Sequence, residues 1–205
     1  MNIKQKGLLI VLSGPSGVGK GTVRKELFKN VSDLKYSVSM TTREKRPGEV
    51  DGRDYYFVSK DEFIKRIDEN KFLEHAQFVG NYYGTPLDKI NECINSGSDM
   101  LLEIEVNGAT QVRHKLPEAV LIFLVPPTKK DLYDRLKNRG TEAEEIIQAR
   151  IEKANQEFPE AKYYDYIVVN DNVSDAAKRI LEIINAEHSK RVRVYDEYIK
   201  MISKK

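Results

Sequence analysis

The sequence is poor in cysteine, in histidine and in long apolar runs. Cys93 is the single cysteine among 205 residues, so no internal disulfide can form, and a reducing, cytoplasmic location is expected. No segment approaches the about 18 apolar residues that cross a bilayer, so no membrane partner is expected. Three histidines show no metal-ligand spacing, and we interpret them as structural or surface residues: His75, His114 and His188.

Charge imbalance, repeats and low-complexity segments are also missing. The 34 basic and 32 acidic residues leave a net charge of +2, which is too small to favour a nucleic-acid partner. The chain is long enough to bury a sizeable core, in one domain or one domain with insertions. Its basic start, Met1–Lys6, leads into a short apolar run that we predict to be a core strand and not a signal peptide.

A glycine-rich loop is the most informative pattern. The segment Gly14-Pro15-Ser16-Gly17-Val18-Gly19-Lys20 follows the apolar run Leu8–Leu12 and precedes a helix predicted over Thr22–Lys29. Strand, glycine loop and helix in this order are typical of a phosphate-binding P-loop. Glycines let successive N–H groups converge on an anion, and the start of the helix adds positive partial charge. Lys20 would reach the β- and γ-phosphates of a nucleotide.

One position departs from the P-loop pattern. Gly21 follows Lys20, where a serine or threonine normally offers a hydroxyl to Mg²⁺, and Thr22 comes one residue later. We therefore expect the metal to make its protein contacts through water, which suits an ion that dehydrates reluctantly.

Apolar runs alternate with helical patterns along the chain. This alternation predicts an α/β fold with a parallel sheet. Strands are predicted at Leu8–Leu12, Met100–Ile104, Val120–Val125 and Tyr166–Val169, and helices at Asn107–Lys115, Thr128–Lys137 and Thr141–Phe158.

Three regions have patterns of their own. Residues 37–95 are polar and rich in turn residues, and a capping box at Ser59 and Glu62 predicts a helix there, so we expect a small α+β insertion. Residues 127–158 are highly charged with few expected neighbours, which indicates a mobile lid. The C-terminal segment from Ser174, the expected N-cap, to about Ile202 is predicted to be one long helix. We interpret its basic end as a solvated face, with membrane or RNA contact as the alternative.

Arginine and tyrosine side chains of the insertion are candidates for binding a phosphate. Arg43 and Arg46 flank a turn and could hold a phosphate with charge-assisted hydrogen bonds; a solvated loop is the alternative. Tyr55 and Tyr83 could each donate a hydroxyl to the same group, or could serve only in packing.

Three carboxylates are candidates for base or metal contacts. Glu74 shares one strand face with Phe72 and Ala76, so it needs a partner: the adjacent N1–H and amine donors of guanine, or a nearby lysine. Glu103 and Glu105 end a predicted strand, two residues apart and on one face, near the P-loop. They would suit Mg²⁺, its bound waters or a substrate group.

Arginines of the lid are candidates for neutralising charge on phosphates. Arg135 and Arg139 are four residues apart and project from one helix face, and Arg150 borders the apolar stripe of the next helix. Surface ion pairing, for example between Asp131 and Arg135, is the alternative.

Together these residues resemble the guanylate kinase family over nearly the whole chain. The order and spacing of the matching pieces are far more specific than the P-loop alone. They are Ser13–Lys20, Ser39–Gly48, Asp54-Tyr55, Phe72–Phe78 with Gly80–Gly84, Leu102–Gly108 and Arg135–Thr141.

The resemblance implies a role for each matching residue. An ATP-binding set would comprise Gly14, Pro15, Ser16, Gly17, Val18, Gly19, Lys20, Gly21, Thr22 and Asn170, the last near the adenine together with Asp171. A GMP-binding set would comprise Ser39, Arg43, Arg46, Tyr55, Glu74, Tyr83, Thr85 and Glu105, with Ser39, Glu74 and Thr85 on guanine. Catalysis would involve Lys20, Arg43, Arg135, Arg139 and Arg150. Glu103 would lie near the metal, through water; Glu103 and Glu105 stand where the family often has aspartate.

The implied activity is transfer of the γ-phosphoryl group of Mg·ATP to GMP, and to dGMP, giving ADP and GDP in purine nucleotide recycling. The implied fold is a P-loop core (1–36, 96–126 and 159–205) with a GMP-binding insertion (37–95) and a helical lid (127–158). A monomer or homodimer is expected. Two alternatives stay open: a guanylate-kinase-like scaffold domain without catalysis, and a kinase of this fold with another phosphate acceptor.

Overall fold

The computed structural model describes residues 5–137 and 144–203. Nine strands lie in these residues: β1 Leu9–Ser13, β2 Lys35–Tyr36, β3 Met40–Thr41, β4 Tyr56–Phe57, β5 Phe72–Phe78, β6 Asn81–Pro86, β7 Met100–Glu103, β8 Val120–Val125 and β9 Tyr166–Val169. The helices are α1 Lys20–Asn30, α2 Lys60–Asp68, α3 Leu87–Asn95, α4 Val106–Lys115, α5 Lys129–Lys137, α6 Glu144–Glu157, α7 Val173–His188 and α8 Arg191–Ile202, with a 3₁₀ segment at Phe158–Tyr163.

The larger sheet is parallel and has the order β2-β7-β1-β8-β9. Strand β1 is therefore central, and the P-loop leaves from its carboxyl end, where ligands bind in open α/β sheets. The predicted α/β class is confirmed. The strands predicted at Val120–Val125 and Tyr166–Val169 have those bounds, whereas β1 is displaced by one residue, to Leu9–Ser13.

Both faces of the three central strands β7, β1 and β8 are buried, which explains why these strands are continuously apolar. Leu8, Ile10 and Leu12 point into a cluster with α1, α5, α6 and α7. Leu9 and Val11, alternating with them, point into a second cluster with α3 and α4.

Within residues 37–95, a second sheet of order β4-β3-β6-β5 has its own small core. Phe63 of α2 stacks on Phe72 of β5 with ring centroids 4.3 Å apart. The predicted cap of α2 is present, since the Ser59 hydroxyl accepts the N–H of Glu62 at 3.1 Å. Helix α3, at the end of this region, packs Ile90 and Ile94 on the larger core.

The expectation that residues 127–158 have few neighbours is wrong. Leu132 and Leu136 of α5 and Ile147 and Ala154 of α6 are buried in the same cluster as α1 and α7. An apolar stripe inside a charged sequence thus seats these helices on the P-loop side of the sheet. The start of the helix predicted from Thr141 lies outside the described residues.

The predicted single C-terminal helix is also wrong, because α7 and α8 are separate helices. Lys190 takes an extended conformation, with ψ 131°, between them. At the end of α7, His188 Nε2 lies 2.7 Å from Asp99 Oδ2. This tertiary contact is made by the last residue of α7, and no glycine or proline marks the break in the sequence.

The N-cap of α7 is Asn172 and not Ser174. The Asn172 side chain accepts the backbone N–H groups of Ser174 and Asp175 at 2.8 and 3.3 Å, so it satisfies two donors of the first turn. In the described parts of the chain, no helix has the length and apolar character that a bilayer crossing requires.

Candidate active site

The P-loop lies between the end of β1 and the start of α1. Gly14, Gly17 and Gly19 have φ values of 140°, 90° and 95°, a region in which other residues are strained. Gly19 is the N-cap of α1, and the first turn of that helix contains no acidic residue. The free N–H groups and the dipole of α1 therefore favour an anion at this point.

Lys20 lies over the loop that precedes it. Its ammonium donates to the carbonyl oxygens of Gly14 at 2.5 Å and Pro15 at 3.2 Å. Burial lowers the pKa of Lys20, and the negative charges of Glu103 and Glu105 oppose that shift. The cation thus stands beside the anion-binding backbone with two carboxylates in range.

Glu103, the last residue of β7, faces the position after Lys20. Its Oε2 pairs with Arg24 Nε at 2.9 Å, and the Arg24 guanidinium also lies over the Tyr36 ring. A Cβ built on Gly21 would lie 3.5 Å from Glu103 Oε1. A carboxylate oxygen therefore borders the space that the absent Ser or Thr side chain would enter.

Glu105 does not share a strand face with Glu103, contrary to the prediction. Strand β7 ends at Glu103, and Glu105 is the N-cap of α4, so the strand alternation does not continue to it. Its side chain is 67% exposed and pairs with Lys153 of α6 at 2.8 Å. This ion pair joins the core to the region assigned as the lid and raises the pKa of Lys153.

Two of the candidate arginines in residues 127–158 contact the P-loop. Arg135 donates to the carbonyl oxygens of Val18 at 3.2 Å and Asn170 at 2.6 Å. Arg150 donates to the Ser16 hydroxyl at 2.8 Å. Asp131, the expected partner of Arg135, instead accepts the Thr128 hydroxyl at the start of α5. Arg139 lies outside the described residues.

Asn170 follows β9 and packs against the same loop. It is buried, and its Nδ2 donates to the Val18 carbonyl at 2.7 Å. A Cβ on Gly19 would come within 2.6 Å of that nitrogen, so only glycine allows this approach. Within the described residues, the buried Asn170 Oδ1 has no hydrogen-bond partner.

A cavity of about 400 Å³ joins these groups. It is lined by loop and α1 residues together with one acidic and one lid residue: Ser16, Gly17, Gly19, Lys20, Gly21, Thr22, Arg24, Lys25, Glu103 and Arg150. Its lining is mainly cationic and rich in backbone N–H groups, which suits a polyphosphate.

Glu74 and Thr85 form a buried polar pair on neighbouring strands. The Thr85 hydroxyl donates to Glu74 Oε1 at 2.6 Å, and Glu74 is only 7% exposed. Burial raises the pKa of Glu74, while the hydrogen bond from Thr85 opposes that shift. Among the described residues, Glu74 forms no salt bridge with a lysine: Lys115 donates instead to the Phe72 carbonyl, at 2.8 Å.

Gly108 explains how α4 closes over this pair. A Cβ on Gly108 would lie 2.9 Å from Glu74 Oε2, so a larger residue would displace the carboxylate. Ser39 lies at the entry to β3, on the strand that pairs with β6, and its carbonyl accepts the N–H of Tyr56. Ser39 thus directly precedes the strand that pairs with the strand of Thr85, and the described hydrogen bonds include none between their side chains.

The predicted phosphate-binding side chains come together in part. The Tyr55 and Tyr83 rings pack edge to face, 6.0 Å apart, and the Arg43 guanidinium lies 5.4 Å from the Tyr55 ring centroid. Arg43 pairs with Glu49 at 2.7 Å, and Glu49 also accepts the backbone N–H of Arg46 at 2.8 Å. The hydrogen bond between the Arg43 and Glu49 side chains raises the pKa of Arg43 and lowers that of Glu49.

Sequence reasoning missed three residues that orient the site: Arg24, Glu49 and Lys153. Each pairs with a residue that was singled out, namely Glu103, Arg43 and Glu105. Only the pair of Arg43 and Glu49 is close in sequence, six residues apart, and the turn at Arg46–Glu49 is the signal that could have indicated it.

Comparison with known proteins agrees with this geometry. The sequence model described as "Guanylate kinase" matches residues 6–187. The guanylate kinase of Aster yellows witches'-broom phytoplasma (strain AYWB) is 58% identical over 204 residues, covering 98% of this chain and 97% of that protein. The guanylate kinase of Lactococcus lactis subsp. lactis is 53% identical over 200 residues, covering 98% of each.

A solved structure is also similar. The crystal structure of guanylate kinase from Anaplasma phagocytophilum has a TM-score of 0.73 at 34% identity, covering 94% of this chain and 92% of that one. The matched segment contains the P-loop, the Glu74–Thr85 pair and both arginines that contact the loop. The chain belongs to the guanylate kinase family.

Proposed function

We propose that this protein transfers the γ-phosphoryl group of ATP to GMP, with the products ADP and GDP. The observation that carries the proposal is the buried Glu74–Thr85 pair in the insertion of a P-loop protein. A buried carboxylate whose described hydrogen bonds come from Thr85 alone has acceptor capacity left for the N1–H and amine of guanine. Thr85 and Ser39 would then contact O6.

The phosphates of ATP and of GMP would be bound by two different sets of residues. The P-loop and Lys20 would hold the β- and γ-phosphates of ATP, and Asn170 Oδ1 would accept from the adenine amine. Arg43, Arg46, Tyr55 and Tyr83 would hold the GMP phosphate. Arg135, Arg139 and Arg150 would neutralise charge that develops during transfer, since phosphoryl transfer depends on positioning and electrostatics more than on a nucleophilic side chain.

The cavity fits a Mg²⁺ ion that is held mainly by the nucleotide. The described residues contain no cluster of three or more acidic, histidine or cysteine side chains, so phosphates and water must supply most of the ligands. Glu103 is the carboxylate that would hold it, directly or through water, because its Oε1 borders Gly21. When bound, the ion would supply positive charge that neutralises the phosphates.

A panel of acceptors tests the proposal. ADP formation is measured with ATP and, in turn, GMP, dGMP, AMP, CMP, UMP and sugar phosphates. We expect GMP to exceed AMP by roughly 10⁴-fold in kcat/KM, because adenine presents an acceptor at N1 and leaves Glu74 unpaired. If no acceptor gives ADP, the result would favour a scaffold domain without catalysis. If only an acceptor other than GMP gives ADP, the result would favour a kinase of this fold with a different substrate.

A further inference from the structure

Strand β5 carries Glu74 along an open edge of the smaller sheet. Within the described residues, the order β4-β3-β6-β5 gives β5 a neighbouring strand on one side only. Its pairing with β6 is also irregular, because the register shifts between Phe72 and Glu74. A shift of this kind disrupts the ladder of hydrogen bonds locally. The sheet therefore gives β5 less support at Glu74 than along the rest of the strand.

The side chain of Gln111 occupies the open edge of β5 next to Glu74. Its Nε2 donates to the His75 carbonyl at 3.0 Å, and its Oε1 accepts the His75 backbone N–H at 3.2 Å. The primary amide thus satisfies both backbone groups of one residue, as a neighbouring strand would do. His75 directly follows Glu74, so both hydrogen bonds act on the backbone beside the Glu74 side chain.

Gln111 belongs to a face of α4 that lies along β5. Gly108, Gln111 and Lys115 are three and four residues apart, which places them on the same side of the helix. A Cβ on Gly108 would lie 2.9 Å from Glu74 Oε2, and Lys115 donates to the Phe72 carbonyl. This face of α4 therefore contacts β5 before, at and after the residue proposed to read guanine.

Helix α4 is itself part of the larger core. Its residues Ala109 and Val112 are buried in one cluster with Leu9 and Val11 of β1, the strand from which the P-loop leaves. The hydrogen bonds of Gln111 thus connect β5 to the part of the molecule that holds the P-loop.

We propose that Gln111 is a positioning residue for base recognition, whose amide holds β5 so that the Glu74 carboxylate stands where guanine is read. This inference rests on the proposed function, since it takes guanine to be the partner of Glu74. Without the amide, the His75 backbone takes its hydrogen bonds from water, which needs room between β5 and α4. Glu74 then moves relative to the base, while the P-loop keeps its geometry.

Two variants of Gln111 test this role. Gln111→Met has a similar length and removes both hydrogen bonds, whereas Gln111→Glu keeps the acceptor and loses the donor. The matched control is Gln77→Glu, because Gln77 is an exposed residue of the same strand and acquires the same charge. The melting temperature of each variant is measured first, and Gln111→Glu serves if Gln111→Met does not fold.

Calorimetry of GMP, IMP and ATP binding separates positioning from folding. IMP lacks the exocyclic amine of GMP, so the ratio of the two dissociation constants reports the contact of Glu74 with that amine. In both Gln111 variants we expect the affinity for GMP to fall by roughly tenfold or more, and the preference for GMP over IMP to fall with it. The affinity for ATP should change less than about threefold. Gln77→Glu should bind all three nucleotides like the original chain.

Three results would overturn the inference: unchanged GMP affinity in the Gln111 variants, equal losses for GMP and ATP, or an unchanged preference for GMP over IMP. A loss of folded protein alone would lower the binding of every nucleotide together. The proposed function is judged separately, by turnover of the original chain. Binding of GMP without turnover would contradict that function and leave the test of Gln111 decisive, whereas an original chain that does not bind GMP would overturn both.

Discussion

At the scale of single residues, the site depends on carboxylates whose partners decide their chemistry. Glu74 is buried beside a hydroxyl, Glu103 is fixed by Arg24, and Glu105 is exposed and paired with Lys153. The three glutamates therefore have three different environments: Glu74 accepts a hydroxyl, Glu103 pairs with an arginine of α1 beside the P-loop, and Glu105 pairs with a lysine of α6. Burial and the identity of the nearest cation separate them.

Replacing Glu74 by glutamine should remove recognition of the base and leave ATP binding intact. A glutamine can accept only one of the two guanine donors and brings its own N–H₂ towards the other, so we expect kcat/KM for GMP to fall by about 10³-fold. The dissociation constant of ATP, measured by calorimetry, should change less than about threefold. Thr85→Ser, which keeps the hydroxyl, is the control and should retain most activity. Equal losses for both nucleotides would contradict the assignment of Glu74.

The raised pKa of Glu74 also predicts an acid limb in the pH profile. Guanine needs the ionised carboxylate, and the protonated fraction grows as pH falls through the raised pKa. An exposed glutamate has a pKa of about 4.3. Because the pKa of Glu74 is raised, we expect kcat/KM for GMP to decline on acidification already at a pH above that value. In Glu74→Gln this limb should be absent from the residual activity. A wild-type profile that is flat to pH 4.3 would refute the link.

At the scale of elements, helices α5 and α6 are packed against the P-loop. A Cβ on Gly17 would approach Leu136 Cδ2 at 2.7 Å and Leu132 Cδ1 at 3.0 Å. Apolar contact and the hydrogen bonds from Arg135 and Arg150 therefore act at the same loop. The position of α5 and the conformation of the nucleotide-binding loop should change together.

Gly17→Ala tests this coupling. The substitution adds backbone strain of about 1–2 kcal/mol at φ 90° and also displaces the leucines of α5. Gly80→Ala is the matched control, because Gly80 has φ 76° but nothing within 4 Å of its Cβ position. We expect Gly17→Ala to raise KM for ATP and to lower the melting temperature more than Gly80→Ala. Equal effects would show that the strain alone acts.

Elements with buried, continuous apolar runs could be predicted from the sequence, whereas elements fixed by distant contacts could not. Strand β8 and the P-loop follow from local pattern and glycine content. The break before α8 lies next to a contact between His188 and Asp99, 89 residues apart, and no local sequence signal marks it. Arg135 and Arg150 were singled out as candidates, but their partners, two carbonyl oxygens for Arg135 and the Ser16 hydroxyl for Arg150, were not, because a charged residue can find a partner on any element that the fold brings near it.

At the scale of the whole molecule, Asp99 joins three parts of the core. Its Oδ1 accepts the N–H of Leu8 at 2.8 Å, before β1, and its Oδ2 lies 2.7 Å from His188 at the end of α7. Asp99 itself precedes β7. One side chain thus closes the edge of the core that is opposite the carboxyl ends of the strands.

Asp99→Ala should therefore destabilise the protein without altering catalysis. Loss of both contacts leaves the Leu8 N–H without its acceptor, which costs about 1–3 kcal/mol. At roughly 2–4 °C per kcal/mol for a chain of this size, the melting temperature should fall by several degrees. Differential scanning calorimetry measures the shift, and Glu118→Ala, at an exposed position, is the control. An unchanged melting temperature, or a lower kcat of the folded variant, would contradict this structural role.

The Arg43 guanidinium already has an internal anion at 2.7 Å, the carboxylate of Glu49. If Arg43 binds the GMP phosphate as proposed, the phosphate takes the place of the Glu49 carboxylate at the Arg43 guanidinium. It does not bind an unpaired cation. The measured affinity then reports the difference between two ion pairs. Small phosphorylated metabolites would gain little from that exchange, so discrimination among them would rest on the purine.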